Sequence, residues 1–317
     1  MKLLVTRRMT ERAEAALRAR FDTTLLDRTQ GLTPAEAAQA MRDYDAVMPT
    51  LGDRFSAEAF SQGLRCRLLA NFGAGYNHID VAAAAAAGIA VTNTPDAVTE
   101  ATADIALTLI LMTARRAGEG ERLLRRGGWI GWQPTQLLGR HVSGKTVGII
   151  GMGRIGQAIA RRCHFGFGMT VAFHNRSRVT GLDFPARQAE GLEALLKAAD
   201  FAVVAVPGGA GTRHLIGAAE LAQLGRQGIL VNIARGDVVD EAALVAALRD
   251  GTIAGAGLDV YEREPVLAPG LIDLENVTLL PHLGTAAEEV RTDMAMRALS
   301  NLLAFAEGRD LPDRVNR

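Results

Sequence analysis

The stretch Thr146-Val147-Gly148-Ile149-Ile150-Gly151-Met152-Gly153-Arg154-Ile155-Gly156-Gln157-Ala158-Ile159-Ala160-Arg161-Arg162 decides the fold. Its first five residues read as a buried strand, and the residues after Gly153 have helical spacing. Gly151-x-Gly153-x-x-Gly156 between a strand and a helix is the phosphate turn of a dinucleotide-binding βαβ unit. The first Gly permits a tight turn. The second lets backbone approach a pyrophosphate, and the third lets the helix pack close to the strand. A phosphate would sit on the N–H groups of Arg154 and Ile155 at the helix start. The competing reading is a glycine-rich turn without a ligand.

Downstream of this turn, strands are predicted at Thr170–Phe173, Phe201–Val206, Ile229–Ile233, Ile253–Leu258 and Val277–Leu280. Helices fit between them at Glu193–Ala198 and Asp240–Arg249, and a last helix spans Ala286–Glu307. Upstream, Lys2–Thr6, Thr23–Leu26, Asp45–Met48 and Leu68–Phe72 read as strands. Thr10 is expected to cap a helix carrying Ala13, Ala16, Leu17 and Phe21 on one face. Thr33-Pro34-Ala35-Glu36 is a capping box with Pro at the first helical position. Val81–Ala87 is a further helix ending at Gly88. This β/α alternation predicts parallel sheets with helices on their faces. Glu100–Arg116 is a helix with Asp104 as its one interior charge, so it should be buried on nearly every side. That points to a domain junction, a subunit interface, or both. Gly127–Arg140, with Trp129 and Trp132, reads as an ordered loop.

A chain of 317 residues suggests two domains. Lys+Arg and Asp+Glu both number 35, which argues against nucleic acid or an anionic membrane as partner. The most apolar run, Ile105–Ala114, is too short for a bilayer span. Apolar character in the opening MKLLVTRRMT ends at Val5, and Cys66 and Cys163 are the only cysteines. A cytoplasmic protein without a disulfide framework is therefore expected.

Dinucleotide folds that prefer NAD carry an acid about 20 residues past the glycines. Here Asn175 stands 19 positions past Gly156, within His174-Asn175-Arg176-Ser177-Arg178, which has no carboxylate. Asn175, Arg176 and Ser177 can donate hydrogen bonds to a 2′-phosphate. The alternative is a solvated basic turn. Arg235, Glu264 and His282 each fall at or just beyond the C-terminal end of a predicted strand, where open α/β sheets bind ligands. Taken singly they are a solvated Arg, an exposed Glu and a structural His. Taken together they suit a carboxylate substrate.

The stretches ANFGAGYNHID (70–80), TNTPDAVTEATAD (92–104), GKTVGIIGMGRIGQAIARR (144–162), LVNIARGDVVDEAAL (230–244), AGLDVYEREP (256–265) and LLPHLGTAA (279–287) resemble the D-isomer-specific 2-hydroxyacid dehydrogenase family. The resemblance covers essentially the whole length and is strongest to the glyoxylate/hydroxypyruvate reductases. It implies an α/β fold of two Rossmann-like, doubly wound parallel-sheet domains. Residues 1–97 with 288–317 would be the substrate domain, completed by the C-terminal helix, and 98–287 the dinucleotide-binding domain. The implied reaction is hydride transfer from NADPH, or alternatively NADH, to a small 2-oxoacid. Arg235 would bind the oxoacid, His282 would be the acid–base, and Glu264 would favour its protonated form. Gly73, Ala74 and Gly75 would offer N–H groups to the substrate carboxylate, and substrate size would depend on Leu51, Phe72 and loop residues. Thr102, Val206, Pro207, Thr212, Ile233, Ala234, Asp259 and Gly284 would line the dinucleotide, Asp259 orienting the carboxamide. The resemblance also implies a homodimer, and no metal.

Two positions depart from the family pattern. Ala205 stands where many members carry Asn or His, and Asn175 replaces the acid of NAD-preferring members. The alternatives kept open are a dehydrogenase for a bulkier 2-oxoacid and a non-enzymatic dinucleotide-sensing binder on the same fold.

Overall fold

The computed structural model describes residues 1–61 and 63–316. They divide into two compact units, Met1–Val98 with Thr285–Arg317, and Thr99–Gly284. The elements begin with β1 (Lys2–Val5), α1 (Glu11–Arg18), β2 (Asp22–Leu25), α2 (Pro34–Asp43), β3 (Ala46–Met48), β4 (Leu68–Ala70), α3 (Val81–Ala86) and β5 (Ala90–Thr92). The second unit holds α4 (Thr99–Ala114), α5 (Ala117–Arg125), β6 (Thr146–Ile150), α6 (Arg154–Phe167), β7 (Thr170–His174) and β8 (Ala186–Gln188). It continues with α7 (Leu192–Ala198), β9 (Phe201–Val204), α8 (Ala218–Leu224), β10 (Ile229–Asn232), α9 (Glu241–Arg249), β11 (Gly255–Leu258) and β12 (Val277–Leu279). The chain then returns to the first unit through α10 (Glu288–Ala306).

In the first unit five parallel strands lie in the order β2-β1-β3-β4-β5. This is the flavodoxin-like doubly wound order. One face packs Leu4, Val47, Leu69 and Val91 against Ala37 and Met41 of α2 and Ala84 of α3. The other packs Leu3, Val5, Met48 and Leu68 against Leu17 of α1 and Ala298, Leu299 and Leu302 of α10. The C-terminal helix thus supplies one wall of this core. The Thr33 hydroxyl accepts the Glu36 N–H while Glu36 accepts the Thr33 N–H, as the capping box predicts. Thr10 does not act as expected. Its side chain makes no cap bond and lies 2.8 Å from the Thr292 hydroxyl, and α1 ends at Arg18, short of Phe21.

In the second unit seven parallel strands run β12-β11-β10-β9-β6-β7-β8. Strand order reverses between β6 and β9, the switch point at which such sheets bind ligands. Helices cover both faces. Ala103, Leu109 and Ile110 of α4 and Ile159 and Cys163 of α6 pack on Val147, Ile149 and Val231. Leu196 of α7, Leu221 of α8 and Leu244 of α9 pack on Ile150, Val204 and Leu230. The approach of α4 is close: a Cβ on Gly257 would sit 2.9 Å from the Leu109 Cβ.

Burial of α4 within this unit is less complete than its sequence suggests. Ile105 and Leu111 are half-exposed and Asp104 is exposed. The helix also stops at Ala114, because Arg116 turns to φ 52° and starts α5. In the loop after α5, Trp129, Ile130, Trp132 and Leu138 are exposed, and the Trp129 indole donates to Gln136. No described helix is long and apolar enough to cross a membrane.

Candidate active site

The turn from β6 into α6 gives each glycine a distinct physical reason. Gly151 has φ 100°, and a Cβ there would lie 2.8 Å from the Ala205 carbonyl oxygen. A Cβ on Gly156 would lie 2.1 Å from the Gly151 carbonyl oxygen, so helix and turn touch without space for a side chain. A Cβ on Gly153 would meet nothing within 4 Å. The middle glycine therefore borders open space at the start of a helix whose first-turn N–H groups have no intrahelical acceptor. Such a cradle, at the sheet's switch point, fits a pyrophosphate.

At the end of β7, Asn175 organises its own turn. Its Oδ1 accepts the Met152 N–H at 3.3 Å, and its Nδ2 donates to the Ser177 carbonyl at 3.1 Å and hydroxyl at 3.2 Å. Gln188, on β8, ties down the same turn through the carbonyls of Asn175 and Ser177. Arg176 and Ser177 are exposed. After β9, Val206 and Pro207 lead into a loop that Thr212 closes, its hydroxyl donating to the Pro207 carbonyl at 2.8 Å.

Arg235, Glu264 and His282 lie beyond the ends of β10, β11 and β12, three neighbouring strands. Glu264 Oε2 is 2.8 Å from His282 Nδ1, and Glu264 Oε1 accepts the Tyr261 N–H at 3.0 Å. Burial pushes the Glu264 carboxyl up. The hydrogen bond and charge of His282, the Tyr261 N–H and Arg235 outweigh it and hold Glu264 below the usual carboxylate range. Burial pushes the Arg235 guanidinium below its ordinary value, against the opposing charges of Glu264 and Asp237.

Asp259 shapes the turn that carries His282. Its two oxygens accept the N–H groups of Leu283 at 2.6 Å and Gly284 at 2.8 Å. Its carbonyl accepts the His282 N–H at 3.0 Å, with His282 held at φ 55°. Burial raises the Asp259 carboxyl despite these N–H groups and the nearby His282 charge. Thr102 closes the cluster by donating to the Gly284 carbonyl at 3.3 Å. Ile233 and Ala234 are buried between β10 and Arg235.

Several bracing residues had no role in the sequence reading. Asn232 is buried, and its side chain bridges the Ala234 N–H and the Arg235 carbonyl. Gly236 lies against the Glu264 loop, since a Cβ there would be 1.8 Å from the Tyr261 carbonyl carbon. The Tyr261 hydroxyl donates to the Leu280 carbonyl at 2.8 Å, fastening the Glu264 loop to the strand before His282. His214 contacts Glu262 through Nε2 and donates its N–H to the Asp237 carbonyl. Asn232 and Gly236 both stand in the quoted stretch 230–244: Asn232 braces its own neighbours, whereas the use of Gly236 exists only where residues 261–264 approach it.

The structure brings together Thr102, Arg235, Asp259, Glu264, His282 and Gly284 in the second unit. Leu51 and Gly73–Gly75 belong to the first, just beyond β3 and β4. Leu51 is 44% exposed, in a turn held by the buried Asp53, whose carboxylate accepts the Thr50 and Leu32 N–H groups.

The family described as "D-isomer specific 2-hydroxyacid dehydrogenase, NAD binding domain" matches residues 107–284. The chain is 44% identical to the glyoxylate reductase of Thermococcus gammatolerans over 321 residues, covering 100% of this chain and 96% of that one. It is 41% identical to the glyoxylate reductase of Pyrococcus horikoshii over the same share of each. Among solved structures it is similar to an NADPH-dependent glyoxylate/hydroxypyruvate reductase from Sinorhizobium meliloti in complex with NADP and malonate. That similarity has TM-score 0.87 and 39% identity, covering 99% and 96% of the two chains. A protein from Thermus thermophilus gives TM-score 0.92 at 41% identity, over 99% of this chain and 100% of that one.

Proposed function

The chain belongs to the D-isomer-specific 2-hydroxyacid dehydrogenase family, and from that premise we propose that it reduces small 2-oxoacids, glyoxylate and hydroxypyruvate, to D-2-hydroxyacids. The observation that carries this reading is the Glu264–His282 contact beside Arg235 at three adjacent strand ends. A bound nicotinamide dinucleotide would supply the hydride. Its pyrophosphate would rest on Gly151, Gly153, Arg154, Ile155 and Gly156. Thr102, Val206, Pro207, Thr212, Ile233, Ala234, Asp259 and Gly284 would line the remainder. The second unit is thereby assigned to the dinucleotide and the first to the substrate.

The chemistry follows from charge. Hydride addition to a ketone or aldehyde leaves an alkoxide, which needs a cation to polarise it and a proton to quench it. Arg235 is a fixed, always-charged fork suited to a 2-oxoacid. His282 gives the proton. Glu264 accepts from Nδ1–H and so leaves Nε2 to face the substrate oxygen. The same carboxylate fixes the orientation of the ring from which the proton comes. Leu51 would limit the group attached to the oxo carbon, favouring short substrates.

NADP(H) is the proposed cofactor, with NAD(H) the alternative, because residues 174–178 carry two arginines and no acid. The half-exposed apolar residues of α4 and the exposed Trp129, Ile130 and Trp132 support a homodimer that covers them. A cytoplasmic location belongs to the same proposal.

The test follows loss of near-ultraviolet absorbance from reduced dinucleotide with glyoxylate, hydroxypyruvate and an aromatic 2-oxoacid, with chiral analysis of the glycerate formed. Turnover of the small substrates to D-glycerate is expected, and His282→Ala should lower kcat by about 10²–10⁴-fold with dinucleotide affinity retained. Dinucleotide binding without turnover of any 2-oxoacid would make the chain a binder. Predominant L-glycerate, or full activity in His282→Ala, would overturn the assignment.

A further inference from the structure

Asn71 and Asn93 occupy equivalent places, each the first residue past the C-terminal end of a parallel strand, β4 and β5. The register that pairs Ala70 with Thr92 sets them side by side, and the Asn71 N–H donates to the Thr92 carbonyl at 3.0 Å. Between them, their side-chain amides take all three carbonyls of the turn that follows β4. Asn71 Nδ2 donates to the Gly73 oxygen at 2.9 Å and the Gly75 oxygen at 3.1 Å. Asn93 Nδ2 donates to the Ala74 oxygen at 2.8 Å. The Thr94 N–H adds a second bond to the Gly73 oxygen at 3.0 Å. Only the nitrogen of each amide can serve, since a flipped oxygen would face another oxygen. Asn71 is fully buried, so its orientation is fixed by these contacts rather than by solvent.

A trans peptide points its carbonyl and the following N–H in opposite directions. Holding the carbonyls of residues 73, 74 and 75 therefore turns the N–H groups of Ala74, Gly75 and Tyr76 away from the asparagines. Among the described residues none of these three N–H groups donates a hydrogen bond. Three successive unengaged donors beyond a strand's C-terminal end are suited to an anion.

We propose that Asn71 and Asn93 are positioning residues for the substrate carboxylate, aiming the N–H groups of residues 74–76 by anchoring the carbonyls behind them. The proposal rests on the 2-oxoacid reading above and adds the residues that make the first unit selective for a carboxylate. Neither asparagine touches substrate. Each acts through the backbone it holds.

The test uses full-length Asn93→Asp and Asn71→Asp, which keep side-chain volume but remove the donating NH₂. Asn93 is half-buried and Asn71 fully buried, so Asn93→Asp serves if Asn71→Asp does not fold. KM for glyoxylate and the affinity of the enzyme–dinucleotide complex for oxalate are measured beside dinucleotide affinity and thermal midpoint. Hydrogen bonds to a charged group are the stronger ones. Loss of one aimed donor should therefore weaken glyoxylate and oxalate by about ten-fold or more. Dinucleotide affinity should stay unchanged, and Asn93→Gln, which restores a donor, should recover part of the loss. Unchanged oxalate affinity in a folded Asn93→Asp protein would overturn the proposal, as would an equal loss of dinucleotide affinity. A wild-type chain that turns over no 2-oxoacid would overturn the underlying reading instead, and is recognised before any variant is made.

Discussion

Glu264 Oε2 stands 2.8 Å from His282 Nδ1, and that contact helps hold the Glu264 carboxyl below its ordinary range. The carboxylate therefore stays charged beside the imidazole at pH values below the usual carboxylate range. Glu264→Gln keeps the shape and removes that charge, while its amide oxygen can still accept from the ring. A group whose pKa is lowered keeps its charge until the pH falls through that lowered value. Wild-type reduction should thus fall off along an acid limb below the ordinary carboxylate range, and the variant should run more slowly and lack that limb. Rate profiles of both proteins check this, and superimposable profiles would contradict it.

Gly236 presses the Arg235 segment against the loop carrying Glu264. A Cβ would need space 1.8 Å from the Tyr261 carbonyl carbon, which is backbone and cannot swing aside. Gly236→Ala must therefore push Arg235 and Glu264 apart. Overpacking of this kind costs about 1–3 kcal/mol, and small displacements at a reacting centre lower rates steeply. A lowered thermal midpoint together with a fall in kcat/KM is expected. Dinucleotide affinity should change less, because Gly236 lies away from the turn after β6. A variant with unaltered kcat/KM would show that the two segments tolerate separation.

Gly153 and Gly156 should separate ligand binding from stability. Gly153 has φ −77°, open to any residue, and a Cβ there meets no atom within 4 Å. Gly153→Ala should fold normally yet weaken the dinucleotide, because the methyl group occupies space meant for the pyrophosphate. Gly156→Ala should lower the thermal midpoint, its Cβ falling 2.1 Å from the Gly151 carbonyl oxygen. Titration and melting of both variants check the pair. Full dinucleotide affinity in Gly153→Ala would place the pyrophosphate elsewhere.

The features read correctly from sequence are those whose cause is local. The Thr33–Glu36 box spans four residues and closes on itself. The Gly151–Gly156 turn lies between a strand and a helix that each announce themselves by periodicity. Thr10 has an equally good local pattern, but its hydroxyl meets Thr292, far away in the sequence. Helix α5 leaves no clear helical pattern in the sequence, because Gly118 and Gly120 lie within it and it follows α4 after only two residues. Ion pairs such as Arg116–Glu119 help to hold it. β8 is a three-residue edge strand, Ala-Arg-Gln, with no apolar run to mark it. Within the candidate site, Arg235, Glu264 and His282 were legible as charged or titratable residues at strand ends. Tyr261 and Gly236 were not, because their roles exist only where two loops meet.

Cofactor choice should be set at the turn that ends β7. Asn175 uses Oδ1 on the Met152 N–H and Nδ2 on Ser177, so it shapes the turn at the end of β7 and contributes no negative charge. Arg176 is exposed beside it and makes no ion pair among the described residues. A 2′-phosphate at this turn would meet a cation and no acid, which favours NADPH over NADH. One charge-assisted contact is worth about 1.5–3 kcal/mol, or roughly ten-fold and more in relative affinity. Arg176→Ala should therefore reduce the ratio of kcat/KM for NADPH to that for NADH by about ten-fold. Asn175→Asp keeps the acceptor for Met152 while placing a carboxylate at the turn. It should repel the 2′-phosphate, accept the hydroxyls of an NADH ribose, and move the ratio further in the same direction. The measurement is kcat/KM for both cofactors at one ionic strength, since surface charge effects fall with salt. A wild type that prefers NADH, or an Arg176→Ala variant with an unchanged ratio, would mean that this turn holds the ribose through backbone alone.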